Sequence, residues 1–158
     1  MVWCSDSLPR DCKNMAQQAT NPTFVQEVKE SFAQQTVMSL IGGELTRVEP
    51  GVIEITLPYR SDLAQQHGYV HAGIITTIAD SACGYAAYTL MPPGSDVLAV
   101  EFKVNLVRPA KGETFVARAE VIKSGRTLTV VRADVHAVTG EQRELIAMMQ
   151  GTMMRLER

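Results

Sequence analysis

The sequence predicts an α+β fold in which a curved antiparallel sheet wraps around one long buried helix. The first observation is the stretch 72–90, which is apolar on nearly every side, as in a helix buried in a core. The second is the chain after this helix, where strand-like runs alternate with short turns. Such strands form an antiparallel sheet that can cover a helix. The sequence shows no internal repeat and no sign of a second domain.

The composition is that of a globular protein, with neither nucleic acid nor a membrane as a partner. The 158 residues carry a net charge of −2, with 46% hydrophobic and 20% charged residues. The chain lacks the basic excess typical of nucleic-acid binding, and no apolar run reaches the roughly 18 residues of a membrane span. The three cysteines, Cys4, Cys12 and Cys83, lack metal-site spacing and favour a reduced, cytoplasmic setting.

The N-terminal part of the chain predicts a leader and a short helix. Residues 1–20 are polar and irregular, and we expect a disordered leader to a single domain over residues 21–158. Asn21-Pro22 has the form of a helix start. Apolar residues then recur every four positions to about Gln34, which predicts a short amphipathic helix.

Strands are predicted on both sides of the central helix. Alternating runs at 44–49 and 52–57 flank the turn Pro50-Gly51 and predict a β-hairpin, and a loop over 58–70 leads into the helix. Four further runs after the helix have strand character, at 97–107, 114–123, 127–138 and 144–156.

Asp80 lies in the middle of the predicted central helix, which holds no lysine or arginine to pair with it. A lone buried carboxylate costs several kcal/mol, so we favour a role as nucleophile or general base over a structural one. At the start of the same helix, His71, Ala72 and Gly73 lie where backbone N–H groups are unpaired and the helix dipole is positive. The two features together indicate an acid and an oxyanion site.

Helix geometry predicts that one chain cannot supply both groups to one reaction. Gly73 and Asp80 are seven positions apart, which is roughly 10.5 Å of helix rise. A base and an oxyanion donor must each come within about 3 Å of atoms on one carbonyl group. Two copies of the helix, antiparallel across a two-fold axis, satisfy this requirement, so we expect at least a dimer.

The motif Gly68-x-x-His71-x-Gly73 followed by Asp80, with a Gly-Arg turn at 125–126, resembles the hot-dog-fold acyl-CoA thioesterases of the phenylacetate-degradation type. The similarity covers roughly residue 42 to the C-terminus. It implies a hot-dog fold, a homodimer or a homotetramer built as a dimer of dimers, and an acyl-CoA substrate. It also implies hydrolysis without a metal or cofactor.

The resemblance assigns roles to single positions of this chain. Asp80 takes the place of the nucleophile or general base, and the N–H of Ala72, with Gly73 beside it, polarises the thioester carbonyl. His71 takes the place of a positioning histidine, and Gln65 that of an amide that orients water or thioester. The sequence departs from the family pattern in having Ala72 for glycine, Gln65 for asparagine and Ala99 for a serine.

The resemblance also points to residues that contact CoA. The turn Ser124-Gly125-Arg126 matches one that contacts the nucleotide in relatives, and CoA phosphates favour nearby cations. The expected substrate-binding residues are Lys123, Ser124, Gly125, Arg126 and Arg108.

Other readings of the same residues remain open at this point. His71 and Asp80 could serve a hydratase or dehydratase of acyl thioesters, and a non-catalytic acyl-CoA-binding protein is a third alternative. A zinc site at His67 and His71 is disfavoured because Gly68 and the loop-like surroundings do not favour a helix there. No G-x-S-x-G sequence is present to indicate a serine hydrolase.

Overall fold

The computed structural model describes residues 17–157. The predicted leader therefore lies outside the described residues up to position 16. Gln17 and Thr20 donate hydrogen bonds to the carbonyl oxygens of Val121 and Leu90, at 2.8 and 3.4 Å. The helices are α1 (Phe24–Ala33), α2 (Thr36–Ile41) and α3 (Ala72–Tyr88); the strands are β1 (Glu44–Glu49), β2 (Val52–Pro58), β3 (Ser95–Leu106), β4 (Thr114–Ser124), β5 (Leu128–Thr139) and β6 (Gln142–Glu157).

One antiparallel sheet carries the six strands in the order β1-β2-β4-β5-β6-β3. The helix α3 lies against this sheet and contacts every strand from β2 to β6. The predicted arrangement of a sheet around one long helix is therefore confirmed. Because the chain returns from α3 to the far side of the sheet, β3 pairs with β6 alone and forms an edge.

The core between α3 and the sheet is built from small and branched side chains. In β4 and β5 the buried positions alternate with partly exposed ones, as expected for strands with one buried face. Alanines on both elements allow the helix backbone to approach the sheet closely. Fully buried residues include Ala79, Ala82 and Ala86 on α3 and Ala117, Ala119 and Ala133 on the sheet.

The clearest differences from the sequence expectation are an additional short helix and an earlier end of the central helix. The helix α2 was not predicted; it ends where Gly42 adopts a positive φ of 78°. The helix α3 ends at Tyr88 rather than Leu90, because the buried Thr89 hydroxyl donates to the Ala86 carbonyl oxygen and accepts the Gly51 N–H, each at 2.7 Å. Within residues 17–157 no helix has the length and apolar character needed to cross a membrane.

Candidate active site

Asp80 lies half-buried in the middle of α3, at the wall of a cavity of about 510 Å³. Its Oδ1 atom is buried and has no hydrogen-bond partner among residues 17–157. Burial raises the pKa of this carboxyl above its ordinary value of 3.8. We call this space the acid cavity; its lining includes Ser31, Gln35, Asp80, Ser81, Gly84 and Ala99, and no lysine or arginine among the described residues.

The first turn of α3 presents one unpaired backbone N–H group. His71 is the N-cap residue, and its Nδ1 accepts the N–H of Gly73 at 2.9 Å. The His71 carbonyl oxygen accepts the N–H of Ile74 at 2.9 Å. Within the described part of the chain the N–H of Ala72 meets no acceptor. The N–H group left free at this helix end is therefore that of Ala72 rather than that of Gly73, which the His71 ring holds.

Ala72 lines a second cavity, of about 440 Å³, at the N-terminal end of α3. Gln65 lies at the same wall, and its Oε1 accepts the N–H of His67. The amide nitrogen of Gln65 makes no hydrogen bond to another residue within 17–157. We call this space the amide cavity; its lining includes Gln65, Tyr69, Ala72, Ile75, Arg108 and Ile146.

The acid cavity and the amide cavity share no lining residue. Eight residues separate Ala72 from Asp80, which corresponds to about 12 Å of helix rise. A carbonyl group bound at Asp80 therefore cannot reach the Ala72 N–H of the same chain. In each chain, Asp80 and the free Ala72 N–H thus lie at different cavities.

The residues expected to bind CoA fall into two separate places. Arg108 lines the amide cavity, and its Nε lies 2.9 Å from a Glu144 carboxylate oxygen. Ser124, Gly125 and Arg126 line a small cavity of about 190 Å³ beyond the C-terminal end of α3. Lys123 is exposed at the end of β4. The small cavity has a second cationic side chain, that of Arg155, which sequence reasoning did not single out.

Three residues of the acid cavity were also missed by sequence reasoning. Gly84 follows Asp80 by one helical turn, so the spacing could have placed it beside the carboxylate. Ser81 donates a hydrogen bond to the Oε1 of Gln35 at 3.2 Å. Gln35 lies 46 positions away in the loop between α1 and α2, and no local pattern indicates this contact.

The remaining candidates for nucleophile or metal ligand have ordinary explanations. Cys83 is buried in α3, and burial, with the charge of Asp80, raises the pKa of its thiol to about 12. It is therefore an inert core residue at neutral pH. His67 is exposed in the loop before α3. Residues 17–157 hold no group of three His, Cys, Asp or Glu side chains placed to bind a metal ion.

Comparison with known proteins places this geometry in a family. The model of the thioesterase superfamily matches residues 67–144, the span that contains α3 with Ala72 and Asp80. A thioesterase family protein of known structure from Silicibacter pomeroyi is 49% identical, with a TM-score of 0.84 over 85% of this chain and 99% of that one.

Two more distant similarities are one of sequence and one of fold alone. A 1,4-dihydroxy-2-naphthoyl-CoA hydrolase from Listeria monocytogenes is 28% identical over 90 residues, which are 57% of this chain and 73% of that protein. The PaaI protein from the phenylacetic acid degradation operon of E. coli shares the fold at 19% identity, with a TM-score of 0.78 over 87% of this chain and 96% of that one. The chain thus belongs to the thioesterase superfamily, has its hot-dog fold and is a thioester hydrolase.

Proposed function

We propose that the protein hydrolyses acyl-CoA thioesters at a site shared between two subunits, with Asp80 from one and the Ala72 N–H from its partner copy. One observation carries this proposal: the unpaired acid and the unpaired N–H lie in separate cavities of each chain. An antiparallel pair of α3 helices brings each acid cavity against the amide cavity of the other copy. The two-fold axis then gives two equivalent sites.

The edge strand β3 supports the pairing of two copies. It hydrogen-bonds to β6 on one side, and its other side is open in the described chain. An exposed edge with apolar side chains is a template for another strand. Antiparallel pairing of β3 with its copy extends the sheet and sets the two α3 helices antiparallel. Apolar side chains at 42–54% exposure in and after β3 are Leu98, Val100, Phe102, Leu106 and Val107.

The chemistry follows from where charge develops. As the thioester carbonyl is attacked, negative charge grows on its oxygen, and a pre-aligned N–H group stabilises that charge. Asp80 either attacks the carbonyl carbon to give a mixed anhydride or removes a proton from the attacking water. CoA leaves as the thiolate. His71 holds the Ala72 turn in place, and the Gln65 amide orients the carbonyl or the water.

The cations at the ends of the site support CoA as the thiol component. Arg126 and Arg155 both line the small cavity beyond α3, and Arg108 lines the amide cavity. Guanidinium groups bind phosphates with two parallel hydrogen bonds. The similar Listeria protein is named as a CoA hydrolase. Of the alternatives, a hydratase or a binding protein would release no free thiol.

The test is free-thiol release from a panel of acyl-CoAs by the wild type, Asp80→Asn and the control Asp62→Asn. Asp62 is exposed, bonded to Arg60 and lines neither cavity. We expect Asp80→Asn to lower kcat by at least about 10²-fold with ligand binding retained, and Asp62→Asn to behave as wild type. Comparable kcat in Asp80→Asn would show that another group is the base or nucleophile.

A further inference from the structure

The first described residues of the chain are bonded to the folded domain at two points. The Gln17 side chain donates a hydrogen bond from Nε2 to the Val121 carbonyl oxygen of β4 at 2.8 Å, and this contact is partly buried. The Thr20 hydroxyl donates to the Leu90 carbonyl oxygen at 3.4 Å. We call residues 17–20 the N-terminal segment. It crosses from β4 to the chain just after α3.

Gly51 leaves the space that the Gln17 side chain occupies. A Cβ atom added at Gly51 would collide with the Oε1 atom of Gln17. Gly51 is itself held to β4, because its carbonyl oxygen accepts the Val121 N–H at 2.9 Å. The Gln17 amide therefore packs directly on the turn between β1 and β2, and this contact anchors the N-terminal segment.

Thr20 is held in place from both sides. Gln17 is anchored on β4 before it. After it, Asn21 is buried at 4% exposure, and the Asn21 Oδ1 accepts the Thr23 N–H at 2.9 Å. Thr20 itself is exposed. Its hydroxyl is thus fixed in position and remains accessible to a ligand.

Thr20 lines the small cavity beyond α3 together with two guanidinium groups, those of Arg126 and Arg155. Arg126 makes no ion pair with a residue in the described part of the chain. Arg155 is paired with Glu157 at 3.0 Å, but the Glu157 side chain is 85% exposed. Exposed ion pairs of this kind contribute little to stability, so an incoming anion can compete for Arg155. The same two arginines also line an adjoining cavity of about 360 Å³.

A phosphate group suits this lining. Guanidinium groups bind phosphates through parallel hydrogen bonds. The bond from Thr20 to a neutral carbonyl oxygen is long for a hydroxyl donor, so the hydroxyl can turn to a phosphate oxygen, which is a stronger acceptor. Eight residues separate Asp80 from Tyr88 at the end of α3, about 12 Å of helix rise. The extended pantetheine arm of CoA can span this distance.

We propose that the N-terminal segment forms part of the binding site for the phosphate-bearing end of CoA. The Thr20 hydroxyl contacts a phosphate directly, and Gln17 is a positioning residue that holds Thr20 in place. The proposal deepens the proposed function and depends on it, because it concerns how the same substrate is bound. It gives residues 17–20 a role in substrate binding, where the sequence predicts only a leader.

The test compares one acyl group on two thiols. The acyl-CoA that the wild type hydrolyses fastest is compared with the same acyl group on pantetheine, which lacks the nucleotide and its phosphates. Thiol release gives kcat/KM for each, and the ratio measures what the phosphate-bearing end contributes. For the wild type we expect the CoA thioester to be favoured by about tenfold or more, as charged hydrogen bonds provide. A ratio near one overturns the proposal.

Thr20→Val removes the hydroxyl and keeps the shape of the side chain. We expect the ratio to fall by at least about threefold through a higher KM for acyl-CoA, while kcat/KM for acyl-pantetheine is unchanged. Thr139→Val is the matched control, because Thr139 is exposed at the opposite end of β5 from the small cavity. An unchanged ratio in folded Thr20→Val would overturn the assignment to Thr20.

Gln17→Ala tests the anchor, with Gln18→Ala as the control because Gln18 is the exposed neighbour. The ratio should fall in Gln17→Ala and stay at the wild-type value in Gln18→Ala. Because Gln17 acts through Thr20, adding Gln17→Ala to Thr20→Val should lower the ratio little further. A full additional fall in the double variant would contradict the positioning role. If the wild type releases thiol from no acyl-CoA at all, the proposed function itself fails.

Discussion

At the scale of single residues, Asp80 and Ala72 are each incomplete in one chain. The carboxylate is half-buried with one oxygen unpaired, and the N–H has no acceptor in the described chain. Buried polar groups are normally satisfied, so the unpaired Oδ1 of Asp80 points to a bound group that completes it. His71 shows which N–H is free, because its ring takes the neighbouring Gly73 N–H.

The raised pKa of Asp80 predicts a pH dependence for both activity and stability. Asp80 can act as a base or a nucleophile only when its carboxyl group is charged. We therefore expect kcat/KM to fall as the pH is lowered through the raised pKa of Asp80. The folded state disfavours the charged form relative to the unfolded state, which costs stability above that pKa. We therefore expect Asp80→Asn to raise Tm at neutral pH.

Thermal unfolding of the wild type and of Asp80→Asn across a pH series measures the difference in Tm between the two proteins. The gain in Tm should shrink as the pH is lowered through the raised pKa and vanish below the ordinary value of 3.8. A variant less stable than the wild type at neutral pH would show that the carboxylate has a stabilising partner instead.

Ala72 can be tested by removing its N–H without removing the helix. It is the first residue of α3, a position where proline is favoured, and His71 has the extended φ of −60° and ψ of 137° that suits a residue before proline. We expect Ala72→Pro to fold and to lose about 10²–10³ in kcat, as when one oxyanion donor is removed. Ala72→Gly keeps the N–H and is the control. Full thiol release by folded Ala72→Pro would exclude this N–H as the donor.

At the scale of elements, α3 combines a packing requirement with a functional one. Its alanines pack on the sheet, while Gly84 keeps space open beside Asp80. Glycine within a helix costs roughly 0.5–1 kcal/mol relative to alanine. The acid cavity gives a physical reason for glycine at position 84, because every other side chain would project into that cavity.

Replacing Gly84 by alanine should therefore stabilise the protein. The added Cβ meets nothing within 4 Å, so Gly84→Ala should raise Tm by about 1–4 °C, given the gain in helix propensity. Gly125→Ala is the contrasting variant, because its Cβ would lie 2.6 Å from the Leu128 carbonyl oxygen and should lower Tm. Calorimetry of both checks this, and a lower Tm for Gly84→Ala would show that the space is not open.

Periodic patterns made the elements of the sheet predictable, and the lack of a pattern explains what was missed. Alternation identified β1 and β2, and strand-like runs between short turns identified β4 and β5, which bury one face against α3. The helix α2 has six residues, too few for a clear helical period. The site residues that lie on α3 could be predicted from their spacing along the helix. The contact of Gln35 with Ser81 could not, because it arises only from tertiary packing.

At the scale of the whole molecule, the open β3 edge and the two half-sites call for the same partner, a second copy of the chain. The sequence alone predicted a dimer from the spacing of Gly73 and Asp80, since a rigid helix holds them apart. The structure adds that Ala72 and Asp80 face different cavities. It also adds that the edge beside the acid cavity is apolar and open.

Mixing two inactive variants tests the shared site most directly. Asp80→Asn and Ala72→Pro subunits, unfolded together and refolded, form mixed dimers in which one site carries both changes and the other carries neither. Random pairing should then restore about a quarter of wild-type thiol release, while each variant alone stays inactive. Activity no higher than that of the separate variants, in a sample shown to contain mixed dimers, would contradict a site built from two subunits.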